Sequence, residues 1–170
     1  EQLRRNQIEI TEALMRKALE RDEHHLTFSE QDAAEIKELQ TIAYKYSRIR
    51  PVILKAIYDI YYAPEVKKLV ARVVGKERTG GIYRISSRLD GRVYIGKAVD
   101  VGSRWQTHFK RAAGVETETT NLLYPAMRKD GLDQFSFEIL EKVEDENKLR
   151  EREVYWQDFY DAKSHGFSVR

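Results

Sequence analysis

The chain has 170 residues, 41% of them hydrophobic, with 30 Lys/Arg against 28 Asp/Glu for a net charge of +2. That length is enough for one modest core or two small ones. The absence of cysteine excludes disulfides and thiolate metal sites, no apolar run approaches the ~18 residues of a membrane span, and so small a net charge does not by itself announce a polyanionic partner. No signal-peptide pattern is visible, so a cytoplasmic or nucleoid-associated protein with no membrane contact is expected. The first residue is Glu1 rather than methionine, which suggests a numbering that starts inside a longer product.

Residues 1–78 read as helix throughout. Ile8 to about Arg21 carries Ile8, Leu14, Met15, Ala18 and Leu19. A second helix opens at the capping box Ser29-Glu30-Gln31-Asp32 and continues through Ile36, Leu39, Ala43 and Tyr46. Pro51 suits a first helical position and opens a third from Val52 to Tyr62. Pro64 is expected to start a fourth, in which Val66, Leu69, Val70 and Val73 recur at helical spacing before Gly75 ends it. Four amphipathic segments suggest a small bundle, or an arm packed on the remainder of the chain. Lys45, Arg48, Arg50 and Lys55, then Lys67, Lys68, Arg72, Lys76 and Arg78, gather in its second half. The boundary is expected between Lys76 and Gly80, dividing the chain into a helical module (1–78) and a second domain (79–170).

From Gly81 the period changes to two. Gly81-Ile82-Tyr83 and Tyr94-Ile95-Gly96 flank Asp90-Gly91, a strong hairpin signal because both central residues of a type I′ turn need positive φ. A two-residue turn sets Ser87 opposite Tyr94 and puts Tyr83, Ile85, Ser87, Tyr94 and Gly96 on one face. Gly96 then leaves room for another backbone or a phosphate. Asp100 is a candidate N-cap for a helix from Val99 to Ala112, on which Arg104 stands one turn before His108. Two phenols, Lys97, Arg104 and His108 near one ribbon suit an anionic phosphate. Arg84, Arg88 and Arg92 on the ribbon extend the basic surface and are expected to follow a DNA backbone, as are Lys110 and Arg111.

Gly114 to Thr120 has no periodicity and reads as a loop. Asn121 caps a short helix that ends before Gly131, and Phe135 to Leu140 alternates as a third strand beside the hairpin. Lys148 to Tyr160 is a helix with Leu149, Glu153, Trp156 and Tyr160 on one stripe. Glu153 therefore lies on the buried side, where a carboxylate must be paired, hydrogen-bonded or bound to metal. Its neighbours Arg150, Glu151 and Arg152 read as surface charge. The fold class is α+β, a small three-stranded antiparallel sheet flanked by helices after an all-helical module. Each site feature has a plainer reading: sheet packing for the tyrosines, a structural ion pair for Arg104 with Glu153, and a packed histidine for His108.

Taken in order, these residues resemble the GIY-YIG nuclease family. The likeness rests on Gly81-Ile82-Tyr83, Tyr94-Ile95-Gly96-Lys97, Arg104-Trp105 with His108, Asn121-Leu122-Leu123-Tyr124, Lys129-Asp130-Gly131, Phe135 to Leu140, and Glu151-Arg152-Glu153 leading into Trp156. It implies a metal-dependent DNA endonuclease in a mobility, restriction or repair context, with one Mg²⁺ or Mn²⁺ per site held by Glu153. By the same resemblance Arg104 would clamp the scissile phosphate, and Tyr83 would draw the proton from the attacking water with Lys97 and His108 as supporting cations. Tyr94 would hold the water or phosphate. Where the family has Gly-Tyr-Asn the chain has Gly166-Phe167-Ser168, so Ser168 and Asn121 are uncertain supporting positions. A weakened or inactive DNA-binding or protein-interaction module is therefore the alternative. Almost nothing follows Ser168, so specificity is expected from the N-terminal helices, the 114–120 loop, or a homodimer or partner protein bound through those helices.

Overall fold

The computed structural model describes residues 2, 4–6, 24–117 and 121–168; the helix expected from Ile8 to Arg21 lies outside them. Helix α1 (Glu30–Lys45) begins where the Ser29 hydroxyl accepts the Asp32 N–H at 3.1 Å, which satisfies one of the orphan donors of the first turn. After α2 (Arg50–Ile57) the chain does not stop before Pro64. It runs through a π-helical turn, Tyr58–Tyr62, directly into α3 (Ala63–Val73). Proline lacks an N–H and its ring crowds the carbonyl one turn back. The widened turn, in which Ala63 N–H reaches Tyr58 O, accommodates Pro64 inside one helical rod. Gly75, at φ +94°, ends it.

Strands β1 (Gly81–Ser87), β2 (Val93–Ala98) and β3 (Phe135–Lys142) form an antiparallel sheet in the order β2-β1-β3. The hairpin differs from expectation. Ile85 pairs with Tyr94 and Tyr83 with Gly96, so the turn spans residues 88–91 rather than two residues, and only Gly91 has positive φ. The Ser87 hydroxyl explains the longer turn, because it accepts from Leu89 N–H at 3.2 Å and Asp90 N–H at 3.3 Å. The register moves by two residues, which preserves the faces.

One face of the sheet (Tyr83, Ile85, Phe135, Phe137) packs on α4 (Val101–Ala112) through Trp105 and Phe109, and on α5 (Leu123–Asp130) through Leu123, Tyr124 and Met127. The same core continues into Leu54, Ile57, Tyr58, Val66 and Leu69 of the helical rod. The other face buries Ile82, Ile95 and Val143 against Leu149, Trp156 and Tyr160 of α6 (Leu149–Tyr160), and against Ala162 of the short α7 (Ala162–His165). Both sheet edges are partly covered. Phe137 N–H donates to His24 O at 2.8 Å beside β3, and Phe167 N–H donates to Val93 O at 2.7 Å beside β2.

Candidate active site

The site is built around β2, whose alternation turns Tyr94 toward α4 and Lys97 toward α6. Tyr83, on β1, is 0% exposed. Its ring fills the space above Gly96, where a Cβ would overlap the phenol. The room expected for a phosphate at Gly96 is thus taken by the protein's own tyrosine. Asp100 starts α4 by accepting the Ser103 N–H at 3.1 Å, and the helix then carries Arg104 and His108 past the two phenols.

His108 is fully buried between two hydroxyls. Its Nε2 lies 2.6 Å from Tyr83 Oη and its Nδ1 lies 2.8 Å from Tyr124 Oη. Burial first, then the positive charges of Arg104 and Arg111, push its pKa down to about 3. The imidazole is therefore neutral at physiological pH and cannot serve as the cation expected beside Tyr83. Burial also holds the Tyr83 phenol well above its usual pKa, with neighbouring Tyr94 adding to the rise and Arg104 drawing it back. Tyr94 is raised by burial and by Glu153, and lowered by Arg104. The guanidinium of Arg104 is thus the charge shared by both phenols. Burial alone would lower its own pKa, but Tyr83, Tyr94 and Tyr124 more than offset that.

Glu153 faces this group from α6. Its carboxyl is raised, chiefly by burial, and pulled down by Lys97, Arg150 and Lys163. Lys97, turned to the α6 side of β2, is thus among the cations that act on Glu153. Among the described residues Glu153 makes no ion pair, and the Arg104–Glu153 salt bridge does not form. A half-buried carboxylate without a partner suits a cation, and no group of three or more His, Asp or Glu side chains converges anywhere among the described residues. One carboxylate donor fits an ion that keeps most of its shell as water and substrate oxygens, as Mg²⁺ and Mn²⁺ do.

Other expected residues fall elsewhere. Arg84 is engaged on the opposite face, paired with Glu138 at 2.6 Å and donating to Tyr160 Oη at 2.8 Å, so it is not free to follow DNA. Arg92 pairs with Asp90 at 2.9 Å and covers the Phe167 ring. Arg88 is exposed beside it at the hairpin tip, reaching Asp133 O at 3.5 Å. Lys110 lies 3.9 Å from Glu116, and Arg111 is half-buried. Arg152 is not plain surface charge: it grips Glu141 at 2.8 Å, and Trp156 Nε1 donates to the same carboxylate at 3.0 Å. Asn121 accepts the Tyr124 N–H at 3.0 Å and so starts the helix that presents Tyr124. Ser168, 2% exposed, accepts the Ile95 N–H at 3.0 Å and secures the edge of β2. Tyr124 ends the Asn121-Leu122-Leu123-Tyr124 stretch of the family resemblance, but its tie to His108 has no sequence signal beyond a phenol on an apolar helix face, where the hydroxyl needs a partner.

A GIY-YIG catalytic-domain model matches residues 79–165. Intron-associated endonuclease 1 of Enterobacteria phage T4 is 33% identical over 90 residues, which are 52% of this chain and 36% of that protein. The chain thus spans about a third of the length of this curated relative. A solved mutant of the catalytic domain of intron endonuclease I-TevI shares 30% identity over 54% of this chain and 94% of its own, with a TM-score of 0.48. A second structure of that catalytic domain gives 30% identity, 54% and 98% coverage, and a TM-score of 0.47.

Proposed function

The chain belongs to the GIY-YIG catalytic-domain family, and on that premise we propose that it is a metal-dependent DNA endonuclease hydrolysing phosphodiester bonds. The observation that carries the reading is the packing of Tyr83, Tyr94 and His108 against one another on one face of the hairpin, within the electrostatic reach of Arg104, with Glu153 acting on Tyr94 from α6. Arg104 holds the scissile phosphate and offsets the charge that grows on it. Tyr94, partly buried, hydrogen-bonds the phosphate or the attacking water. Tyr83 accepts a proton from that water, which must be admitted to a hydroxyl closed to solvent in the free protein, while its own hydroxyl proton passes to His108 Nε2, so the buried phenol need not ionise at rest. Glu153 would hold a divalent ion, which when bound would supply Lewis acidity to the reacting phosphate. Lys97 favours the ionised form of that carboxylate.

The name of the phage relative favours a mobility context over restriction or repair. The helical module before residue 79 is the surface available for DNA, a second copy or a partner protein, and no described helix is long and apolar enough to cross a membrane. A second reading, a DNA-binding module without turnover, rests on Ser168 standing where the family has asparagine. Its hydroxyl is spent on the Ile95 N–H. Nicking of supercoiled plasmid separates the two. We expect cleavage with Mg²⁺ or Mn²⁺, none with EDTA, and none from Glu153→Ala or Arg104→Ala. Intact plasmid with either metal, together with retained DNA binding, would favour the second reading.

A further inference from the structure

We propose that Tyr124 is a positioning residue that fixes the tautomer of His108, and through it the direction in which Tyr83 can pass a proton. The inference rests on the endonuclease reading above and extends it to a residue that reading gives no role. A neutral imidazole carries one N–H, so one ring nitrogen donates and the other accepts. With a phenol on each nitrogen at 2.6 and 2.8 Å, two arrangements exist. In the first, Tyr124 donates to Nδ1, and Nε2–H donates to Tyr83. Tyr83 then already receives a proton donor from His108, and has nowhere to send its own hydrogen. In the second, Nδ1–H donates to Tyr124 Oη and Tyr83 donates to Nε2.

Only the second arrangement permits base catalysis. The proton balance is then complete: a water O–H breaks and its hydrogen joins Tyr83 Oη, the Tyr83 O–H breaks and its hydrogen joins Nε2, and the hydroxide oxygen bonds to phosphorus. The imidazolium so formed donates from Nδ1 to Tyr124 and from Nε2 to Tyr83, and after product leaves it returns the Nε2 proton to Tyr83 Oη, which gives up the proton it took from water. Tyr124 supplies the acceptor that makes Nδ1–H the resting form. Its placement is built in. Asn121, just outside its helix, accepts the Tyr124 N–H at 3.0 Å, and the Tyr124 side chain is 1% exposed, so no bulk solvent competes for the Nδ1 proton. Removing the hydroxyl strands a buried N–H, and the ring is then expected to place its proton on Nε2, toward Tyr83.

The test combines nicking kinetics with ¹⁵N NMR of the His108 ring in the whole chain. Tyr124→Phe keeps the ring and should lower kcat by ~10–100-fold, the range for losing an outer partner of a catalytic group, with KM unchanged. Tyr83→Phe alone should cost ~10²–10⁴-fold, the usual worth of a general base, and adding Tyr124→Phe to it should cost nothing more. The wild-type spectrum should show Nδ1–H, and the Tyr124→Phe spectrum Nε2–H. Wild-type kinetics in Tyr124→Phe, or an Nε2–H resting form in the wild-type protein, would overturn the proposal while leaving the endonuclease standing. If the wild-type protein cleaves nothing, the endonuclease reading fails separately. The wild-type tautomer, which needs neither turnover nor a folded variant, then decides the role of Tyr124: Nδ1–H supports it and Nε2–H ends it.

Discussion

Burial of the Glu153 carboxylate raises the energy of the folded chain by more than the nearby cations Lys97, Arg150 and Lys163 lower it. Its pKa is raised above the ordinary 4.5, chiefly by burial. The folded state therefore holds the proton more tightly than the unfolded state, and stability declines as pH rises from the unfolded value through the folded one. Glu153→Gln should accordingly melt higher than the wild-type protein at pH 7, with the difference fading below about pH 4, under the reference carboxyl value. Mg²⁺ should raise the melting temperature of the wild-type protein and not of the variant. Calorimetry across pH checks both, and equal melting at pH 7 would show that Glu153 bears no burial cost. The identity of this residue is legible from its place on the α6 stripe, and those of Tyr83, Tyr94, Arg104 and His108 from the motif spacing. Their electrostatics are not. His108 loses its charge through complete burial, and Gly96 serves the Tyr83 ring. Both facts depend on packing from elements that meet only in the fold.

At the scale of elements, α6 has to hold Glu153 at a fixed height over the edge of β2. Two polar clamps do this. Glu141 on β3 receives Arg152, at 2.8 and 3.0 Å from its Nε, and Trp156. Arg84 on β1 ties Tyr160 to Glu138. The first clamp brackets Glu153 from one residue before it to three after, and hydrogen bonds from Arg152 hold the Glu141 carboxyl below its usual range. Glu141→Ala should therefore raise the Mg²⁺ concentration needed for half-maximal nicking by ~10–100-fold, with little change in secondary structure by circular dichroism. An unaltered Mg²⁺ titration would show that α6 keeps its seat without the clamp. The helices and strands themselves can be read from periodicity and caps, Ser29 and Asp100 included, because those signals are local. The clamps join residues 11 to 76 positions apart, and nothing local to Arg84 or Arg152 reveals that each has a distant partner. The hairpin turn and the continuous rod through Pro64 depart from expectation for a related reason. A serine hydroxyl and a π-turn each offer an alternative backbone solution that dipeptide signals do not reveal.

At the scale of the whole molecule, the change from helical to strand periodicity near residue 79 is sharp, yet the hydrophobic core crosses it. Leu54, Val66 and Leu69 from the helical rod and Tyr83, Trp105 and Phe137 from the sheet portion belong to one cluster. Gly102 on α4 admits Val70 so closely that a Cβ there would press on its Cγ1 at 3.0 Å. A sheet of three strands has little core of its own, and the rod completes it. The chain's two tryptophans report the two faces separately, Trp105 in the shared core and Trp156 under α6. Urea unfolding should give one transition, with far-ultraviolet dichroism coincident with fluorescence from single-tryptophan variants. Leu69→Ala, at a fully buried position of the rod, should cost ~2–5 kcal/mol and move every midpoint together, including that of Trp156 on the far side of the sheet. A dichroism loss that precedes both fluorescence changes would instead mean that the rod unfolds as its own unit, and that the catalytic portion stands without it.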